Sequence, residues 1–294
     1  MKKRSFAVLG SLFFLISVFG GFPGVLGAAD AIQFGVIPLQ SPAIMLQKFT
    51  PLADYLSKEL GVPVKLLVGK DYQATMDDIA KNTVQMAYLT PTTYPKVAKQ
   101  HPDMAIQPIV KFKESGSATY RSAIIVRSGS PIAGVADIKG KKFAFGSEQS
   151  TSSHLMPRSM LIAAGIDIDK DLKEIKFTGS MGNVVGAVAA GIMDAGGLQE
   201  SVAEQAEKQG KVKILARSGD IPQFPICVNK QLPPEMVSKI QAALLKLDGS
   251  TPESLKILTA IDPKLTGSEK AASADYDIIR EMILKLYGEA FYKK

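Results

Sequence analysis

Cysteine, histidine and tryptophan are scarce in this chain of 294 residues. It contains one cysteine, two histidines and no tryptophan. A single cysteine excludes an intrachain disulfide, and Cys227, in the apolar run PICV, is predicted to be a buried small hydrophobe. One Cys and two separated histidines, His101 and His154, form no recognisable zinc site, so neither a metal nor a cofactor is expected.

Blocks of like charge are also missing. The formal net charge of +7 comes from 35 Lys and Arg against 28 Asp and Glu, which are scattered along the chain. No nucleic-acid recognition motif accompanies the positive charge, so nucleic acid is not an expected partner. The weak positive field that remains suits a small anionic ligand.

The one long apolar run lies at the N terminus. Lys2, Lys3 and Arg4 precede FAVLGSLFFLISVF, and the small-residue stretch GGFPGVLGAA follows. This pattern predicts a secretory signal peptide over residues 1–28, whose removal lowers the net charge from +7 to +4. The alternative, an uncleaved membrane anchor, is disfavoured by the Gly and Pro residues after the run. No later run reaches the roughly 18 residues of a spanning helix, so an exported, soluble protein is expected.

Beyond residue 31, short apolar runs alternate with helical patterns. IQFGVIP, VKLLVG and VQMAYLT are predicted strands, and residues 42–61 are predicted as one helix or as two helices split at Pro51. This alternation predicts an α/β fold of two lobes with mainly parallel sheets. Lobe 1 is assigned to residues 29–122 and 219–294, and lobe 2, inserted, to residues 123–218. The chain crosses twice between the lobes, which enclose a hinged cleft.

The stretch GSEQSTSSHLMP, residues 146–157, combines short polar side chains with a proline. A proline inside a helix lacks an amide hydrogen and clashes one turn back, so Pro157 is expected in about the first turn, which places the helix start near Ser152 to His154. The first amides of a helix have no internal partner and favour anions, and neighbouring hydroxyls add further donors. An ordinary N-cap is the alternative, although one Ser would satisfy it. The residues that predict an anion site are Ser150, Thr151, Ser152 and Ser153.

From about residue 32 to 245, the chain resembles the periplasmic solute-binding proteins of phosphonate, phosphite and phosphate ABC importers. The landmarks follow in order: FGVIPLQSP, FTPLADYLSKELGVPVKLLVGKDYQATMDDI, VQMAYLTPTTY, TYRSAIIVRSGSPI, STSSHLMP and IPQFPICVNKQLPPE. The most specific of them is the Ser-Thr-Ser turn before a helix that contains a proline. The resemblance implies a periplasmic binding protein of type II that captures a small phosphorus oxyanion for an inner-membrane ABC permease.

The resemblance also implies site residues. The Ser-Thr-Ser turn, which holds the phosphorus-bound oxygens in that family, corresponds to Ser150, Thr151 and Ser152. The other residues that the resemblance or their position at a turn makes candidates are Tyr72, Tyr120, Gln40, Ser41 and, more weakly, Thr90 with its neighbours Thr92 and Thr93. By its chemistry alone, a Tyr offers a hydroxyl donor on an apolar body, which fits a dry cleft, although amphipathic surface or core packing is the alternative explanation.

The chain departs from the family pattern at four places. Ser153 stands where the family turn usually has Gly, and His154 stands where an aromatic or aliphatic residue is frequent. Ser180 or Met181 replaces a His of phosphonate binders, and Gln199 or Glu200 occupies the region of a Glu that grips a ligand amine. An aminoalkyl phosphonate is therefore less well supported than a phosphorus oxyanion in general.

Three other functions remain open at this point. The same fold could bind another small anion, such as a carboxylate, an amino acid or a sulfonate. It could serve as an envelope ligand sensor, alone or in addition to transport. An enzyme is disfavoured, because Ser150 and His154 would need a third orienting group and no Gly-x-Ser-x-Gly elbow is present. A monomer that acts by binding is expected.

Overall fold

The structure is a computed structural model that describes Met1 and residues 31–293. Apart from Met1, the predicted signal peptide of residues 1–28 lies outside the described residues. Over the part that is described, no helix combines the length and the apolarity needed to cross a bilayer.

The described residues form thirteen strands and ten α-helices. The strands are β1 (Ile32–Val36), β2 (Val64–Val68), β3 (Met86–Tyr88), β4 (Gln107–Glu114), β5 (Thr119–Tyr120), β6 (Ser122–Arg127), β7 (Lys142–Phe145), β8 (Glu174–Phe177), β9 (Ala195–Gln199), β10 (Val212–Arg217), β11 (Ile221–Pro222), β12 (Pro225–Val228) and β13 (Leu265–Lys270). The helices are α1 (Pro42–Leu60), α2 (Tyr72–Ala80), α3 (Thr93–Gln100), α4 (Met156–Ala163), α5 (Ile168–Asp171), α6 (Met181–Ala189), α7 (Glu200–Lys208), α8 (Pro234–Leu245), α9 (Pro252–Ile261) and α10 (Asp277–Tyr287). A π-helical turn (Thr151–Leu155) precedes α4, and 3₁₀ turns lie at Pro102–Met104, Val135–Ile138, Ser273–Tyr276 and Gly288–Lys293.

The strands assemble into two large sheets. A six-stranded sheet has the order β13-β4-β12-β3-β1-β2, and a five-stranded sheet has the order β10-β6-β9-β7-β8. The two-lobed α/β architecture is as predicted, but the expectation of mainly parallel sheets is corrected, because both sheets are mixed. The strands β6, β10 and β12, at which the chain enters or leaves a sheet, run antiparallel to their neighbours. Parallel pairing is confined to β1 with β2 and β3, and to β7 with β8 and β9.

Both faces of each sheet are covered. In β6, Ile124 and Val126 join one buried apolar cluster, while Ala123 and Ile125 join another. Successive side chains of a strand point to opposite faces, so this alternation means that helices cover the sheet on both sides. Cys227 lies fully buried in β12, as its apolar surroundings predicted.

The first long helix is continuous. Residues Pro42–Leu60 form α1 with Pro51 inside it, so the alternative of two helices split at Pro51 is wrong. Met45, Phe49, Leu52 and Leu56 share one buried face of α1, and tertiary packing of this face offsets the backbone hydrogen bond that Pro51 removes.

The two chain crossings lie side by side. Strand β5 pairs antiparallel with β11, so that Tyr120 lies opposite Ile221. Next to this pair, the Ser122 amide donates to Ser218 Oγ at 2.9 Å, and the Ser218 amide donates to the Ser122 carbonyl at 2.9 Å. The six-stranded sheet takes its strands from residues 32–114 and 225–270, and the five-stranded sheet takes its strands from residues 122–217. The finer lobe boundaries, 29–122 with 219–294 and 123–218, stay a prediction.

Candidate functional site

The hydroxyl-rich turn lies between β7 and α4. Ser150 is the N-cap, and its side chain accepts from the Ser153 amide at 3.1 Å. The first turn is π-helical, because the Leu155 amide donates to the Ser150 carbonyl at 3.1 Å. Helix starts leave their first amides without a helical partner, and here these belong to Thr151 and Ser152. All residues from Ser150 to Ser153 are at most 1% exposed.

Two glycines let this turn approach the five-stranded sheet. A Cβ on Gly146, directly after β7, would lie 2.2 Å from Ser153 Oγ, and a Cβ on Gly197 in β9 would lie 2.2 Å from the Pro157 ring. Real Cβ atoms do not approach other atoms so closely, so both positions need a residue without a side chain. The Gly146 amide also donates to the Ser153 carbonyl at 2.9 Å. The sequence therefore builds the turn tightly against the sheet.

In the described residues, four buried hydroxyls in or around this turn have no hydrogen-bond partner. They are Tyr72 Oη, Tyr120 Oη, Ser152 Oγ and Ser153 Oγ, named here the hydroxyl cluster. Tyr72 begins α2, and Tyr120 lies on the first chain crossing, so the four hydroxyls come from three separate segments. A buried hydroxyl without a partner costs about 1–3 kcal/mol. Proteins satisfy nearly all such groups, so four of them together point to a polar ligand.

The two tyrosines of the hydroxyl cluster stay protonated. Burial raises the pKa of Tyr72 well above its ordinary value, and the nearby Ser150 side chain offsets part of this rise. Burial likewise raises the pKa of Tyr120, and the Ser152 and Thr151 side chains oppose it. These neighbours are close enough to affect the pKa values, although no hydrogen bond of good geometry satisfies either tyrosine. Both phenols are therefore donors that an anion would accept.

Thr92 joins the turn to the other half of the molecule. Its amide donates to Thr151 Oγ1 at 3.1 Å, and the two threonine hydroxyls share a hydrogen bond of 2.8 Å. Thr92 precedes α3, beside the six-stranded sheet, whereas Thr151 belongs to the half with the five-stranded sheet. Both residues are fully buried. The hydroxyl-rich run LTPTTY was the only sequence signal for Thr92, and pairing with residue 151 could not be read from it.

The Thr90 hydroxyl is hydrogen-bonded to Thr93 within the same turn. Its Oγ1 donates to Thr93 Oγ1 at 3.1 Å and accepts from the Thr93 amide at 3.0 Å. Ser122, which sequence reasoning missed, donates from its Oγ to the Ser152 carbonyl at 2.6 Å. This bond ties the turn to the start of β6, and a lone Ser in a β-branched run gave no signal for it.

Gln40, Ser41 and Ser180 lie together at a neighbouring opening. They line a cavity of about 490 Å³ that also includes Lys70 and Asp71. Ser180 is the N-cap of α6, where its side chain accepts from the Asn183 amide at 3.3 Å. The structure places this opening next to the turn, because a Cβ on Gly146 would lie 3.9 Å from the Ser180 carbonyl carbon.

His154 and Glu200 have their polar atoms occupied by protein groups. Both ring nitrogens of His154 are engaged, Nδ1 with the Glu148 carbonyl at 2.5 Å and Nε2 with Tyr287 Oη at 2.6 Å. Burial lowers the pKa of His154 to about 4. The Glu200 carboxylate, 4% exposed, accepts from Arg121 at 3.0 Å and from Arg217 at 2.5 Å. The structure thus gives both side chains protein partners in place of a ligand.

The arrangement does not form a nucleophile and base. Ser150 Oγ accepts from the Ser153 amide, and the ring nitrogens of His154 contact Glu148 and Tyr287. Within the described residues, no group of three or more His, Cys, Asp or Glu side chains is placed to hold a metal ion. What the site offers chemically is a set of neutral donors around a helix start, which suits recognition of a compact anion.

Two α/β halves joined by two paired chain crossings form the fold of type II periplasmic binding proteins. A solved structure with this fold is PhnD1 from Prochlorococcus marinus (MIT 9301) in complex with methylphosphonate. The two chains superpose with a TM-score of 0.78 at 23% identity, over 88% of this chain and 98% of that one.

Sequence comparison then gives the family. The family model for the phosphonate ABC transporter, periplasmic substrate-binding protein, matches residues 34–276. The probable ABC transporter phosphite binding protein PhnD1 of Prochlorococcus marinus (strain MIT 9301) is 30% identical over 209 residues, 68% of this chain and 67% of that protein. The phosphate-import protein PhnD of Mycolicibacterium smegmatis is 26% identical over 229 residues, 73% of this chain and 71% of that protein. The chain belongs to the phosphonate ABC-transporter family of periplasmic substrate-binding proteins.

Proposed function

We propose that this protein captures a small phosphorus oxyanion in the hydroxyl cluster and delivers it to an ABC permease. The observation that carries the proposal is the set of four buried hydroxyls without a partner beside a helix start. A tetrahedral anion of three or four oxygens would accept from the two tyrosine and two serine hydroxyls, and from the first amides of the helix.

The proposed ligand class is phosphate, phosphite or a small phosphonate. One relative is a phosphate-import protein, and another is a probable phosphite binding protein. The structural neighbour PhnD1 was solved in complex with methylphosphonate. The donors of the hydroxyl cluster are neutral, so the anion keeps its charge and is stabilised by dipoles. A hydroxyl also accepts, so a protonated oxygen of the ligand fits the same positions.

Ligand entry requires that the two halves part. The hydroxyls of the turn are at most 1% exposed, so no solute reaches them while the halves are in contact. The paired crossings provide the axis for such a movement. We include Gln40, Ser41 and Ser180 in the proposal as groups at the opening through which the anion passes, and Thr90 as support for the Thr92 turn.

The proposal extends to the cell envelope. Residues 1–28 would direct export and be removed, leaving a monomer in the periplasm that acts by binding and needs neither cofactor nor nucleic acid. N-terminal sequencing of the protein recovered from the periplasm tests the cleavage. Light scattering after gel filtration tests the monomer.

Calorimetric titration of the mature protein with a panel of anions tests the ligand class. Phosphate, phosphite and methylphosphonate form one arm, and acetate, sulfate and methanesulfonate form the matched control arm. We expect at least one phosphorus anion to bind, and at a hundredfold excess over its dissociation constant to stabilise the fold by about 2.7 kcal/mol. Binding by the control arm with none by the phosphorus arm would refute the proposal.

A further inference from the structure

His154 bridges the two halves of the molecule. The Glu148 carbonyl can only accept, so Nδ1 of His154 carries the proton in this contact of 2.5 Å. In the neutral ring, Nε2 is then the acceptor, and the Tyr287 hydroxyl is the donor at 2.6 Å. Burial raises the pKa of Tyr287 to about 12, so this hydroxyl keeps its proton near neutral pH. The bond has one defined direction, from Tyr287 to His154.

The partners of this bond belong to different halves. The His154 ring packs edge-on against Phe145 and Phe177, at centroid distances of 5.1 and 4.8 Å, in the half with the five-stranded sheet. Tyr287 ends α10, whose buried side chains join the core of the six-stranded sheet. The Arg158 guanidinium adds a second bridge, since it lies 5.1 Å from the centre of the Tyr287 ring.

His154 follows directly after the hydroxyl turn. One peptide bond joins His154 to Ser153, so a displacement of the His154 backbone also displaces Ser153. Both ring nitrogens of His154 have protein partners, so neither is offered to the ligand. His154 and Tyr287 therefore act on ligand binding through the position of the turn and not by touching the ligand.

We propose that the Tyr287–His154 hydrogen bond is a latch that holds the two halves closed over the anion and slows its release. The proposal rests on the proposed function, since it assumes that an anion binds in the hydroxyl cluster. When the halves part, the bond breaks and water solvates both groups. When they close, the bond re-forms beside the turn.

Loss of one partner leaves the other, the buried His154 or the half-buried Tyr287, without this hydrogen bond in the closed form only. In Tyr287→Phe, His154 Nε2 has no donor in a site where the ring is 3% exposed. This penalty opposes closure, and we expect roughly tenfold faster dissociation of the ligand and a roughly tenfold larger dissociation constant. His154→Phe leaves the Tyr287 hydroxyl unpartnered and has an effect of the same direction. In the double variant both polar groups are gone, so much of the loss is recovered.

A matched control is Tyr55→Phe. The Tyr55 hydroxyl donates to the Ala243 carbonyl at 2.8 Å, and both residues belong to the half with the six-stranded sheet. This variant also loses one tyrosine hydrogen bond, but the bond does not cross between the halves. We expect a lower free energy of unfolding with an unchanged dissociation rate.

Stopped-flow tyrosine fluorescence measures the dissociation rate, because the chain has no tryptophan. The probe is the anion among phosphate, phosphite and methylphosphonate that binds the wild-type protein most tightly. Faster dissociation in each single variant, with recovery in the double variant, supports the latch. A wild-type dissociation rate in Tyr287→Phe, or losses that add in the double variant, overturns it. Either result leaves anion binding by the wild-type protein intact, whereas a wild-type protein that binds none of the three anions contradicts the proposed function itself.

Discussion

Replacement of Thr151 by Val is the sharpest perturbation of the proposed site. Val keeps the shape of Thr but exchanges its hydroxyl for a methyl group. In the structure, Thr151 Oγ1 accepts from the Thr92 amide at 3.1 Å and shares a 2.8 Å bond with the Thr92 hydroxyl. Both residues are fully buried, so water cannot replace the lost partner. The change removes a contact between the halves together with a donor beside the hydroxyl cluster.

The expected magnitude follows from the Thr92 amide. A buried N–H without a partner costs about 1–3 kcal/mol, and the Thr92 hydroxyl loses its 2.8 Å bond to the same Thr151 atom. One tenfold step in an equilibrium corresponds to about 1.4 kcal/mol, so the dissociation constant of the anion should rise by roughly five- to a hundredfold. Because the contact joins the two halves, the penalty applies to the closed form, and unfolding of the ligand-free protein should change little.

Calorimetric titration of Thr151→Val with phosphate, phosphite and methylphosphonate measures this effect. Thr151→Ser is the control, since it keeps the hydroxyl and loses only a methyl group. A double-mutant cycle with Thr92→Val isolates the coupling between the two residues. An unchanged dissociation constant in Thr151→Val would remove Thr151 from the binding machinery and refute the reasoning.

The remaining predictions concern the close packing at Gly146, the ion pairs of Glu200 and the loss of stability at acidic pH. Gly146→Ala places a Cβ 2.2 Å from Ser153 Oγ, so urea unfolding should show a loss of about 1–3 kcal/mol together with weaker anion binding; a wild-type midpoint would contradict the close approach. Glu200→Gln removes the charge held between Arg121 and Arg217, and we expect about 1–2 kcal/mol lower stability with an unchanged dissociation constant for methylphosphonate. A large loss of affinity would place Glu200 in the site. The pKa of His154 is lowered by burial to about 4 from 6.5, so its neutral form stabilises the fold above pH 6.5 and this contribution is lost as the pH falls toward 4. Between pH 7 and 4.5 the wild-type protein should lose about 2 kcal/mol more than His154→Phe, and equal losses would be evidence against a buried neutral imidazole. The comparison cancels the opposite slope from Glu114, whose pKa burial and Asp262 raise to about 7.

The sequence predicted the elements that carry strong local signals. The strand at 32–36 and the helix stopped by Gly61 lie where periodicity and the glycine signal placed them. The helix start predicted near Ser152 to His154 differs from the structure, in which a π-helical turn capped by Ser150 begins at Thr151 and α4 begins at Met156. The edge strand β13, Leu265–Lys270, was not predicted, because its sequence LTGSEK is largely polar and its burial comes from pairing with β4. The direction of β12 also depends on pairing with β3 and β4, which no local pattern encodes.

The candidate site likewise contains residues that a local sequence signal predicts and contacts that no local signal predicts. The run from Ser150 to Ser153 was predicted because four hydroxyls stand in front of a proline-started helix, a purely local signal. His154 shows the limit, since no local pattern predicts that its ring is hydrogen-bonded by Tyr287, 133 residues away. Glu200 was proposed from alignment with a family Glu, yet its carboxylate pairs with Arg121 and Arg217, which the two chain crossings bring to the first turn of α7. Contacts between residues so far apart in the sequence depend on the topology of the chain.

Tyr120 lies on the ribbon formed by β5 and β11, which joins the two halves and is the pivot of the proposed closure. A group at a pivot moves least during rotation, so in the proposed closure the Tyr120 phenol keeps nearly the same position in the open and the closed form. In the proposed mechanism, an incoming anion first meets the Tyr120 phenol, and closure then brings the serine donors to it. The proposed order of binding steps thus follows from the position of Tyr120 at the paired crossings.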